Sequence, residues 1–139
     1  MVHALERAGR HLAPDSRLVL LQPHRTRRPF IAVRDGGRRV PICALINPVF
    51  QPLIETANSS IQTVIERGLF SMLGRTDHSF RVRLANPTQL RRYLHTGVRP
   101  PRFPPGGKQR LLGVWRSTSR AEIEVTEFLT VVALRSRRF

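Results

Sequence analysis

The stretch richest in groups able to hold a ligand is HRTRRPFIAVRDGGRRVPIC, residues 24–43. It carries Arg25, Arg27, Arg28, Arg34, Arg38 and Arg39, opposed by one acid, Asp35. A guanidinium is a planar fork that meets phosphate or carboxylate oxygens two at a time, so this run points to polyanion binding. Arg135, Arg137 and Arg138 form a second basic group near the end of the sequence. Phe30 is the only aromatic inside the first cluster, and the chain has seven Phe, one Tyr and one Trp. That scarcity speaks against reading single strands by base stacking. The formal charge is +15, from 24 Lys plus Arg against 9 acids, and Lys108 is the only lysine. Such a field attracts nucleic acid and acidic surfaces. A GC-rich genome also favours arginine codons, so a solvated arginine surface is the competing explanation.

Other reactive groups give no site. His3, His11, His24, His78 and His95 show no H-x-x-x-H or H-E-x-x-H spacing, and no metal site is expected. Cys43 stands alone, which permits no internal disulfide, and it reads as a small buried residue. Ser59 and Ser60 read as surface positions on a helix. Glu122 and Glu124 are expected on the exposed face of a strand, and Glu55 and Glu66 beside a helix stripe. No carboxylate pair is therefore expected in an apolar pocket able to raise a pKa. No catalytic, cofactor-binding or metal-binding residue is assigned.

The elements that position these groups follow from spacing. Val2, Leu5, Leu12 and the small Ala8 and Gly9 recur at helical spacing, which predicts a helix over 2–12. Pro14-Asp15-Ser16 is turn chemistry, and the apolar run Leu18–Leu21, ended by Pro23, predicts a strand buried on both faces. Asp35-Gly36-Gly37 predicts a hairpin. Asn47-Pro48 opens the clearest helix, with Phe50, Leu53, Ile54, Ala57, Ile61, Val64 and Ile65 on one stripe and Gly68 as terminator. Phe80, Val82 and Leu84 alternate with arginines, predicting a half-buried strand. Pro87–His95 reads as a short helix capped by Asn86. Residues 97–107 are a Pro/Gly-rich loop, followed by one or two helical turns over 108–115. A long strand is expected over 121–135, bulged near Glu127. The length suits a single domain over 1–139. No apolar run reaches the ~20 residues of a membrane span, and no signal-peptide core is seen, so a cytoplasmic location is expected.

This order resembles the C-terminal half of a class I, Rossmann-like S-adenosylmethionine-dependent methyltransferase. The residues that carry the resemblance are Ala4, Leu5, Glu6, Arg7, Ala8, Arg10, Leu12, Pro14, Arg17, Leu18, Val19, Leu20 and Pro23, with VIERGLF at 64–70. Where the family has two glycines, this chain has Asp15-Ser16. The resemblance implies an α+β fold: a truncated methyltransferase half whose small mixed sheet holds 17–22, 79–85 and 121–135. Helices 48–67 and 2–12 cover it, and the last two strands form an antiparallel pair beside strand 17–22. The family's Gly-rich loop and ribose-binding acid belong to its N-terminal half, and no G-x-G-x-G occurs here. The resemblance thus implies no S-adenosylmethionine binding and no methyl transfer by this chain alone. Three accounts fit: a truncated relative with another role, one part of an enzyme completed by a partner, or a fragment read from an internal methionine. An unpaired edge at strand 17–22 would be covered by a second copy or a partner protein. The alternative function is a basic nucleic-acid or polyanion-binding module.

Overall fold

Gly68 ends the longest helix as its sequence position suggests. Its φ is +73°, a left-handed conformation that costs glycine least. The Gly68 N–H donates to Ile65 O and the Leu69 N–H to Val64 O, the paired bonds of a Schellman closure. The computed structural model describes residues 1–48, 50–97 and 100–137. The elements run α1 (Val2–His11), β1 (Arg17–Pro23), β2 (Phe30–Asp35), β3 (Arg38–Ala44), α2 (Phe50–Glu66), β4 (Phe70–Leu84), α3 (Pro87–Leu94), α4 (Gly107–Arg116) and β5 (Ala121–Ser136). The fold is α+β. The strand order is β1-β5-β2-β3, with β4 also on β5. The sheet is antiparallel rather than mixed. The physical reason is that β5 is the common partner of β1, β2 and β4, and each runs against it.

The chain divides into two compact units: Met1–Thr26, Val49–His78 and Leu129–Phe139 make one, Arg27–Pro48 and Ser79–Phe128 the other. In the first, β1 pairs with β5 from Arg17↔Arg135 to Pro23↔Leu129. Leu5 of α1, Ile61 and Val64 of α2, Phe70 of β4, and Val132 and Leu134 of β5 form its core, with Leu18 and Leu20 against it. Val19 and Leu21 alternate with these and are 58% and 72% exposed. The strand expected to be buried on both faces is therefore buried on one. It ends the strand order, and its burial alternates along its length. Leu53, placed on the apolar stripe of α2 by spacing, is exposed, and Ser60 is buried with its hydroxyl donating to Thr56 O at 2.8 Å.

In the second unit, Gly36-Gly37 turns β2 into β3, and β2 also pairs with β5. A bulge between Ile31 and Ala32 leaves Ile42 without a partner in the ladder, buried at 5% exposure. Ile31, Val33, Ile123 and Val125 form the sheet side of this core; Leu90 and Leu94 of α3 and Leu111 of α4 pack with them. Asn86 caps α3, its side chain accepting from the Gln89 N–H at 2.9 Å. The Tyr93 hydroxyl of α3 donates to Glu127 Oε1 of β5 at 2.9 Å.

Two element boundaries differ from expectation. β4 begins at Phe70, not 79: backbone pairing makes 71–78 a strand although it is mostly exposed and shows no apolar alternation. The turns expected over 108–115 form a ten-residue helix, α4. Residues 98 and 99 of the Pro/Gly-rich loop and 49 beside α2 lie outside the described residues. Among the described residues, no helix is long and apolar enough to cross a membrane.

Candidate functional site

Glu122, Glu124 and Thr126 occupy alternate positions of β5, so the pleat turns them to one side. β2 brings Arg34 opposite Glu122 and Ala32 opposite Glu124, and the hairpin places Arg39 opposite Arg34. Arg34 Nη1 donates to Glu124 Oε2 at 3.1 Å, and Arg39 Nε donates to Oε1 at 2.8 Å. Arg81 Nε of β4 stands 3.9 Å from the same Oε1, and Arg83 Nη1 stands 3.9 Å from Glu122 Oε2. The Glu124 side chain has no exposed surface. This corrects its expected place on an exposed strand face: the face is covered by guanidinium groups rather than by water.

Burial alone would push the Glu124 carboxyl up. The hydrogen bonds from Arg39 and Arg34, with the charges of Arg39 and Arg81, outweigh it and hold the pKa below the ordinary carboxylate value. Three guanidinium groups around one carboxylate leave a local surplus of positive charge. Arg39 also lies 5.7 Å over the Phe30 ring, and elsewhere in the unit Arg27 lies 5.3 Å over the Phe128 ring. Thr126 Oγ1 is the one buried side-chain polar atom without a hydrogen-bond partner among the described residues.

The arginines singled out by sequence thus have different employments. Arg34 and Arg39 hold Glu124 and Arg27 stacks on Phe128. Arg38 sits opposite Asp35 at the exposed hairpin end, and Arg28 is half-buried. Arg25, in the first unit, pairs with Glu55 of α2 at 3.2 Å. Arg135 is exposed opposite Arg17, and the Arg137 N–H donates to Leu69 O at 3.1 Å. Arg138 lies outside the described residues. Sequence reasoning missed Arg81 and the burial of Glu124. The alternation of Phe80, Arg81, Val82, Arg83 placed both arginines on one side of β4, but nothing local named their partner.

A second constellation lies in the first unit. His24 Nε2 is 3.2 Å from Asp77 Oδ2, and Thr130 Oγ1 donates to Asp77 Oδ1 at 2.8 Å. The Thr26 N–H donates to His24 Nδ1 at 3.1 Å, which makes Nδ1 the acceptor and leaves the ring proton to Nε2, facing Asp77. The set ties the segment after β1 to β4 and β5. Among the described residues, no group of His, Cys, Asp and Glu could hold a metal ion. Cys43 is half-buried, and burial raises its pKa, which keeps the thiol protonated and a poor nucleophile.

The glycines that could let a backbone approach a ligand serve turns and packing. Gly36-Gly37 is a hairpin turn, not the strand-to-helix crossing that lets a ligand approach the backbone. At Gly107, which opens α4, an added Cβ would stand 3.1 Å from Cys43 Sγ and from Pro104, so its bareness is filled by packing. The remaining candidate is β1 itself. Among the described residues it pairs with β5 alone, and it presents Val19 and Leu21 to solvent. No family model, no curated protein and no solved structure matches this chain.

Proposed function

We propose that this chain is a methyltransferase-like protein that does not bind S-adenosylmethionine or transfer methyl groups alone and works by association at the free side of β1. The observation that carries the reading is the position of β5, the last strand, which pairs with both β1 and β4 as a closing methyltransferase half requires. The turn before β1 supports it. Asp15, where the family has glycine, holds φ at +62°, a region aspartate tolerates better than most side chains. An edge strand with two exposed aliphatic side chains invites a neighbour, either a second copy or another protein.

Sedimentation velocity is expected to show self-association that strengthens with salt, because screening relieves the repulsion between chains of charge +15. Leu21→Asp is expected to shift the equilibrium to monomer. A wild-type monomer at every concentration would count against the reading. Calorimetric titration with S-adenosylmethionine is expected to give no binding heat; micromolar binding by the isolated chain would overturn the incompetence claim.

A second reading, a polyanion-binding module, is favoured by the guanidinium surplus around Glu124. Neutralising Arg27, Arg28 and Arg38 leaves the Glu124 bonds in place. It is expected to weaken DNA or RNA binding and to flatten the dependence of log K on log salt by about one for each lost phosphate contact. An unchanged salt slope rejects it.

A further inference from the structure

The second unit contains a cavity of about 350 Å³ that neither the arginine network nor the β1 edge uses. Residues of α3, α4 and the Pro101–Phe103 segment line it, and it opens to solvent. Its wall is apolar, built from Leu90, Leu94, Leu111, Leu112 and Phe103, of which Leu90 and Leu111 are 2% exposed. Its polar members are Arg91, His95, Lys108 and Thr88, and no acid lines it. His95 Nδ1 lies 2.7 Å from Arg91 O, so that ring nitrogen is a donor and Nε2 is left for the cavity side or solvent.

The size falls within the ~300–1,000 Å³ range of small-ligand pockets, too small for a folded partner. Leucines reward an apolar body that leaves water. Two basic side chains, with no acid among the described lining residues, reward one anionic head, and they select against a cationic or neutral one. A nucleic-acid backbone meets neither condition, since it carries many charges and little aliphatic surface. We propose that this cavity binds a small amphiphilic carboxylate, with its hydrocarbon body among the leucines and its head at Lys108 and Arg91.

The test is calorimetric titration of the full chain with decanoate, decanol and acetate, in salt that screens the general surface charge. Decanoate is expected to saturate one site and to bind about tenfold tighter than decanol, the worth of a charge-assisted contact; acetate is expected to give no measurable binding. Leu112→Trp, which fills the wall, and Thr88→Trp, which crowds the mouth, are each expected to weaken decanoate at least about tenfold while circular dichroism stays native. Having two variants keeps the test meaningful if one misfolds. Arg91→Gln and Lys108→Gln are expected to erase the preference of decanoate over decanol. Absence of saturable binding, equal affinity for decanoate and decanol, or full binding by both tryptophan variants would each overturn the proposal.

Discussion

Replacing Arg34 and Arg39 together by methionine is expected to destabilise the protein by about 3–5 kcal/mol at pH 7. The cost lies less in the lost attraction than in what remains: a Glu124 carboxylate with no exposed surface and, among the described residues, only Arg81, 3.9 Å away, to face it. Removing the acid instead is expected to cost less. The Arg34 and Arg39 side chains are 23% and 37% exposed, and after Glu124→Leu they can turn into water. That asymmetry separates an uncompensated buried charge from a simple count of broken bonds.

The pH dependence carries the sign of the argument. In the native protein the Glu124 pKa is held below its ordinary 4.5. A depressed acid stabilises the fold above that unfolded value, and the contribution is lost as pH falls through the folded one. In the double methionine variant the bonds that lowered the pKa are gone and burial raises it. The sign then reverses: the variant is least stable at neutral pH and recovers as Glu124 takes up a proton. Urea denaturation at pH 7 and pH 4 measures both. The stability gap between wild type and variant is expected to narrow in acid. A gap of the same size at both pH values would show that the two arginines do not hold an ionised Glu124.

Phe70→Ala is expected to cost about 3–5 kcal/mol, the range for emptying an aromatic site in a core. Phe70 has no exposed surface and sits among Leu5, Ile61, Val64, Val132 and Leu134, so both helices of the first unit rest on it. α1 approaches it so closely that a Cβ added at Gly9 would stand 3.3 Å from the ring. Leu53→Ala is the contrast. Leu53 shares the sequence spacing of the α2 stripe but is exposed, so its truncation is expected to stay within about 0.5 kcal/mol. Chemical denaturation of the two variants measures the difference; equal costs would place Leu53 in the core and contradict the burial pattern of α2.

Local chemistry determined much of this protein. The helical spacing at 2–12, the Gly36-Gly37 turn, the Asn86 cap and the Gly68 stop are each decided by residues within one or two turns of each other. They were legible because a cap or a tight turn meets its partner inside the same short segment. The arginine cluster was equally visible, but its employment was not. Glu124 is 90 residues from Arg34 and 85 from Arg39, and only the pairing of β2 with β5 brings them together. His24 and Asp77, 53 residues apart, meet for the same kind of reason. The early part of β4 shows no apolar alternation, and the exposed side of β1 reads like a buried run, because a sequence reports hydrophobicity but not which face acquires a cover. Composition and spacing settled that the chain would be basic and would build both helices and strands. Which charges are paired, which leucines line a cavity and which strand edge has no partner among the described residues were decided only by contacts between segments far apart along the chain.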